Sequence, residues 1–170
     1  MTHALHLYRI VALLFIFLLL PVLAHAGETD RFKGWAWSSN IGWISFNCTN
    51  TDSCDTIDYG VTIATNNTSI SGYAWSSSVG WVDFSGTTFN PATGVISGTA
   101  SFNSGTAEND GWDGDLELYD ASPIAYGLDV QVDTEVDGYA WGDRVVGWVS
   151  FNCENHSGCG TVDYQVTVEP

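Results

Sequence analysis

Basic residues are almost absent from this chain. Of 170 residues only four are lysine or arginine, against 20 aspartates and glutamates. Arg9 lies near the N-terminus, so the rest of the chain has only Arg31, Lys33 and Arg144. Such a surface repels nucleic acid and anionic lipid, which argues against both as partners. It suits divalent cations, high salt or plain solubility. Histidine is equally scarce. Beyond residue 26 only His156 remains, so a histidine-based triad would rest on that single ring. Acid pairs of the glycosidase type are conceivable, but where acids are everywhere no pair stands out. An enzyme is therefore the least favoured function class. Helical periodicity is missing as well: after the first residues no stretch repeats its apolar positions at helical spacing.

What the N-terminus does contain is an export signal. Arg9, with His3 and His6, gives a weakly positive start, and an apolar run follows from Ile10 to Leu20. Ala24-His25-Ala26 fits a small-x-small cleavage site. Residues 1–26 read as a signal peptide, and residues 27–170 as a single domain with a proper core. The alternative is a retained membrane anchor, for which the run is short against the roughly 20 residues of a bilayer span. Loss of Arg9 with the leader takes the net charge from −16 to −17. The expected location is secreted, at the cell surface or in the periplasm, with no membrane contact after cleavage.

Four cysteines follow the leader: Cys48, Cys54, Cys153 and Cys159. Export makes disulfides the default, and four cysteines allow three connectivities. Both pairs follow the same Ser-Phe-Asn and have the same internal spacing, which favours Cys48–Cys54 and Cys153–Cys159. Each small ring is worth about 2 kcal/mol by loop entropy. A zinc site of all four cysteines is the weaker reading, because the spacing and the compartment both oppose it.

The sequence repeats one phrase. Gly34-Trp35-Ala36-Trp37 leads to Gly42-Trp43-Ile44-Ser45-Phe46, and Gly72-Tyr73-Ala74-Trp75 to Gly80-Trp81-Val82-Asp83-Phe84. Gly138-Tyr139-Ala140-Trp141 leads to Gly147-Trp148-Val149-Ser150-Phe151, and a worn copy runs from Gly98-Thr99-Ala100 to Gly111-Trp112. Alternation at period two argues for strands. Ile44 and Phe46 share an apolar face, and Trp43 and Ser45 point the other way. A third strand accompanies each pair, as in Tyr59 to Ile63, Tyr126 to Val132 and Tyr164 to Val168. Turn signals such as Asn90-Pro91-Ala92-Thr93-Gly94 separate the strands.

The expectation is an all-β fold: an antiparallel meander of about four three-stranded repeats, arranged as a barrel, a sandwich or a blade-like array. The units are 59–86, 87–120 and 126–151, with a fourth made of 32–58 completed by 164–168. The chain is thus cut in mid-unit. Its last strand pairs either with its own first strand, closing a ring, or with the next molecule, building a fibre. Closure within one chain is preferred.

At these residues the chain resembles a family of exported bacterial repeat proteins with a Gly-Tyr-Ala-Trp-Ser…Gly-Trp-Ile-x-Phe signature, over about residues 32 to 168. The resemblance implies an exported, β-rich surface or extracellular protein without an established activity, and it carries over no catalytic residues. The 87–120 unit departs from the signature: Thr99 and Ser101 replace its aromatics, and Asp115 stands where a large residue is usual.

Two groups of residues are candidate sites. Asp110, Asp113, Asp115, Glu117 and Asp120 form an acidic run that reads as a solvated edge strand or as calcium ligands. Asp129, Asp133, Glu135 and Asp137 form a weaker second cluster. Trp43, Trp81 and Trp148, on the mixed face, read as core packing or as an exposed stacking platform for sugars. Glycosylation sequons occur at Asn47, Asn66, Asn67 and Asn155, and a bacterial source, as the resemblance implies, would make them mostly chance. The expected function is a structural or adhesive module at the cell surface or in extracellular matrix, with self-assembly through its terminal strands as one route. A glycan-binding module is the alternative. Partners are then copies of the chain itself or surface glycans.

Overall fold

A computed structural model of the protein describes residues 31–65, 68–103 and 113–169. The leader, Asn66, Asn67, Asp110 and Trp112 lie outside the described residues. The fold is all-β, and its strands fall into four units. The first consists of β1 (Phe32–Ser38) and β2 (Gly42–Ser45), completed from the far end of the chain by β13 (Val166–Val168). The second holds β3 (Val61–Ile63), β4 (Ile70–Ser76) and β5 (Gly80–Asp83). The third holds β6 (Thr87–Phe89), β7 (Val95–Phe102) and β8 (Asp115–Glu117), followed by a two-residue β9 (Tyr119–Asp120). The fourth holds β10 (Tyr126–Val130), β11 (Val136–Gly142) and β12 (Gly147–Ser150).

Eight of these strands close an antiparallel barrel. Around the ring they run β1-β2-β4-β5-β7-β8-β11-β12 and back to β1. The other strands lie outside the ring, and they exist because the first strand of each ring pair is long. The later half of β1, β4, β7 or β11 sits in the barrel. The earlier half pairs with β13, β3, β6 or β10 respectively.

Glycine makes the change of partner feasible. Gly34 and Gly72 sit at the join with φ of +86° and +94°. A Cβ there would lie 2.0 Å from the Gln165 carbonyl oxygen and 2.1 Å from that of Gly60. Side chains resist this φ, and the crossing backbone leaves them no room. Gly98 and Gly138 repeat the arrangement in the other two units. The recurring glycine of the sequence phrase is therefore the hinge between the ring and the outer strands.

The barrel interior is filled in repeating layers. Ala36, Ala74, Ala100 and Ala140, one from each long strand, are fully buried. Opposite them stand Ile44, Val82, Leu116 and Val149 from the return strands. Next come Phe46, Phe84, Leu118 and Phe151, with Phe46 touching Phe84 and Phe151 at 5.2 and 5.3 Å between ring centroids. The small alanine is required because its partner on the facing strand is large; alternating sizes fill a narrow barrel without voids.

The chain closes on itself. Phe32, Lys33 and Gly34 pair with Val168, Thr167 and Val166. The disulfides are Cys48–Cys54 and Cys153–Cys159. The first cysteine of each opens a 3-10 turn that follows Ser-Phe-Asn, and the Asn side chain caps that turn.

Three details differ from the sequence expectation. The strand β9 is additional to the four triplets. One helical turn, α1 (Asp143–Val146), occurs between β11 and β12, where local hydrogen bonding by Asp143 wins over periodicity. In the worn unit, the register places Gly114-Asp115, not Gly111-Trp112, at the position of Gly42-Trp43, since Asp115 pairs with Ser101 as Trp43 pairs with Trp37. Among the described residues no helix is long and apolar enough to cross a membrane.

Candidate ligand-binding faces

Period-two alternation sends one side chain out of the barrel for every one sent in. Around the lumen residues Ala36 and Ile44, the outward neighbours are Trp35, Trp37 and Trp43. Trp43 lies 4.6 Å from Trp37 and 6.3 Å from Trp35 between ring centroids. The outer strand brings a fourth ring, Tyr164, edge-on to Trp43 at 5.2 Å.

This constellation occurs three times. In the second unit Trp81 meets Trp75 at 4.5 Å, Tyr73 at 6.4 Å and Tyr59 at 5.3 Å. In the fourth, Trp148 meets Trp141 at 4.8 Å, Tyr139 at 6.1 Å and Tyr126 at 5.1 Å. The interplanar angles repeat too: 57°, 57° and 58° for the Trp–Trp pair of each unit. One return-strand tryptophan therefore touches three rings in every copy. Such edge-to-face contacts stabilise by about 0.5–1.5 kcal/mol each beyond area burial.

The tryptophans do not fill the lumen; they clothe its outside. Trp43 is 36% exposed and Trp148 41%, Tyr73 is 43% exposed, and Trp81 is half-buried. Tyr59 and Tyr164 are buried beneath their clusters. Period two alone shows that Trp43 and Ile44 face opposite ways, but not which way is in. The narrow ring decides this, because layers of alanine, aliphatic and phenylalanine side chains already fill it and leave no space for stacked indoles.

Each aromatic face borders an open cavity. About 480 Å³ lies beside Tyr59, Tyr73 and Trp81, with Asp58 and Asn103 at its border. A cavity of about 220 Å³ is lined by Trp35, Trp43, Val162, Asp163 and Tyr164, and an adjoining one of about 380 Å³ by Trp37, Trp43 and His156. The fourth unit has a cavity of about 410 Å³ lined by Tyr126, Tyr139 and Trp148 with Ile124 and Ala125. The three tyrosines that open the outer strands were not singled out as site residues from sequence. Their signal is positional: each stands two residues before a buried apolar residue, Val61, Leu128 or Val166, that pairs with a hinge glycine.

The faces are held by asparagine clasps. Asn50 accepts from the Gly34 amide at 3.1 Å and donates to the Gly34 carbonyl at 2.6 Å. Asn155 does the same with Gly138, at 3.0 and 2.7 Å. Asn47 is fully buried and donates to the Phe32 carbonyl. The sequon asparagines Asn47 and Asn155 are thus engaged by the fold itself. Tyr59 donates its hydroxyl to Ser45 Oγ at 2.8 Å, tying the second face to the end of β2.

Among the described residues the third unit has no such cluster. Thr99, Ser101, Asp115 and Glu117 take the places of Trp35, Trp37, Trp43 and Ser45. Burial, followed by the charges of Asp113 and Glu117, raises the Asp115 pKa above its ordinary 3.8. Asp113 accepts from the Asp115 amide, Asp120 from the Ser122 amide, and Glu117 from the Tyr126 hydroxyl at 2.8 Å. Burial and the Glu117 hydrogen bond push the Tyr126 pKa upward. Among the described residues, no three carboxylates of the run meet within ligand distance of one another. The two groups that do meet, Cys48, Cys54 and Asp58 and their counterparts Cys153, Cys159 and Asp163, contain disulfide sulfurs and no thiolate. In the second acidic cluster, Asn152 donates to both Glu135 and Asp137, at 2.9 and 2.8 Å.

No protein family, curated protein or solved structure matches this chain. The two disulfides belong to an oxidising, extracellular-type environment.

Proposed function

We propose that this protein is an exported adhesive module that presents three copies of one aromatic surface to ligands outside the cell. The observation that carries the reading is the triplicate four-ring constellation, alike in spacing and angle, each copy beside an open cavity. Core packing alone does not call for it, because the third unit completes the same barrel with Thr99, Ser101 and Asp115 in place of the rings. Exposed aromatic faces with polar neighbours bind surfaces that offer flat apolar patches, of which sugar rings are the commonest outside cells. Three weak sites on one rigid body gain strength through avidity against a repetitive ligand.

Contact through the sides of the barrel is favoured over strand exchange, because β13 already pairs with β1 of its own chain. The test is a glycan array followed by titration of tryptophan fluorescence with the ligands found. Saturable quenching, lost in Trp43→Ala, Trp81→Ala and Trp148→Ala together, is the expected result. No response to any glycan, polymer or cell-wall fraction would leave the rings a purely structural role in holding the outer strands to the barrel.

A further inference from the structure

The faces differ in one respect that bears on ligand class. Asp58 precedes Tyr59 and Asp163 precedes Tyr164, and each carboxylate borders the cavity of its own face. In the fourth unit the equivalent residue is Ala125. In the first unit one cavity is thus walled by Trp35, Trp43 and Tyr164 and flanked by Asp163. In the second, Trp81, Tyr73 and Tyr59 stand with Asp58. The central ring meets two of its three neighbours at steep angles: 74° and 78° in the first unit, 76° and 70° in the second. Rings set nearly perpendicular thus line each cavity from different directions, and a carboxylate beside them adds a negative charge.

We propose that the cavities at Asp58 and Asp163 are aromatic cages for an alkylated ammonium group, and that the third aromatic face, whose cavity no carboxylate lines, is a weaker version. The proposal rests on the adhesive reading above and names the chemistry recognised. Aromatic faces attract cations through the ring quadrupole, most strongly those whose methyl groups leave them weakly hydrated. The chain's net charge of −16 draws cations toward these cavities and repels anionic ligands. Asp58 and Asp163 are exposed, so a ligand reaches them without any opening of the fold. A trimethylammonium group reaches a cell-surface protein either on a lipid headgroup or on a decorated surface polymer, and the chemistry in the cage is the same for both.

The test uses the purified protein with both disulfides intact. Choline is titrated against tryptophan fluorescence and by calorimetry, in parallel with 3,3-dimethyl-1-butanol, its uncharged isostere. Choline should bind about five-fold more tightly or better. The double variant Asp58→Asn and Asp163→Asn, with unchanged melting temperature, should erase most of that difference and leave the weak isostere binding in place. Equal affinity for choline and isostere, or no effect of the double variant on choline, would overturn the cages. Phosphatidylcholine vesicles and a phosphocholine-decorated polymer, as separate arms, distinguish the two sources. If choline fails while an oligosaccharide binds, the cages fail and the adhesive reading stands. If every ligand fails, both do.

Discussion

Asp115 faces Ser101 across β7 and β8 in the register at which Trp43 faces Trp37 across β1 and β2. The lumen between these positions hardly changes: Ala100 and Leu116 do there what Ala36 and Ile44 do in the first unit. Inside, volume and polarity are fixed by close packing. Outside, the same scaffold carries either an aromatic cluster or an acidic patch, so ligand chemistry can differ by unit without a change of fold.

The acidic version should show in the pH dependence of stability. The raised Asp115 pKa means that the folded chain binds this proton more tightly than the unfolded chain. The contribution is therefore complete below about pH 3.8 and lost as pH rises through the raised value. Asp115→Asn removes that loss. The variant should melt slightly above the parent at pH 7, and the difference should shrink toward pH 3.5. Because the side chain is largely exposed, the gain stays within about 0.5 kcal/mol. A variant less stable at pH 7 would show that the carboxylate is instead stabilised there, as by a bound cation.

The asparagine clasps should matter more. Asn50→Ala removes both hydrogen bonds to the Gly34 backbone and the one to Ser45 Oγ. The peptide groups left behind are only partly open to water, so the expected cost is about 1–3 kcal/mol in urea unfolding. Asn155→Ala should cost a similar amount at Gly138. Asn50→Asp keeps the acceptor and loses the donor, and should fall between parent and alanine. A change below about 0.5 kcal/mol in both alanine variants would mean that water replaces the clasps.

Glycine substitutions separate hinge from filler. Gly72→Ala meets both the +94° dihedral and the Gly60 oxygen at 2.1 Å. The dihedral alone costs about 1–3 kcal/mol, and the clash forces β3 away from β4. Loss of the cooperative transition or a large drop in melting temperature is expected. Gly160→Ala is the control, since a Cβ there meets nothing within 4 Å and should change stability by less than about 0.5 kcal/mol. Equal effects at the two sites would dismiss the hinge.

These residues also show what sequence could and could not convey. The three-strand unit, its phase and the cysteine pairing were legible because each was written more than once: Ser-Phe-Asn-Cys appears at 45–48 and again at 150–153. The pairing of the last strand with the first was legible as a missing partner strand, whereas the closure of the ring by β12 against β1 was not. That the strand carrying Gly34 serves two partners was not, because alternation continues through the hinge and only the dihedral betrays it. The outward tryptophans were ambiguous for a related reason. Hydrophobic alternation ranks faces by apolarity, and the Trp face competes well with the Ile-Phe face until barrel size excludes large rings. Asp115 was legible as standing where a large residue is usual, but its exact match to Trp43 depended on register across strands, which sequence alone does not give.

The terminal strand offers the most direct test of how the first unit is completed. Deleting residues 164–170 removes Val166 and Val168, both buried, together with their pairing to Gly34 and Phe32. It also removes Tyr164 from the first aromatic face. Burial of two valines contributes roughly 1.5–3 kcal/mol each, a large share of a typical domain's net stability. The truncated chain should therefore melt well below the parent. It should also self-associate, because the opened edge of β1 can accept any extended strand. A synthetic peptide of residues 163–170 added in trans should occupy that edge, raise the melting temperature and suppress association, as expected for strand addition. A truncated chain that stays monomeric with an unaltered melting temperature would show that β12 and β2 hold β1 without help, and that the C-terminal strand serves only to carry Tyr164 to the first face.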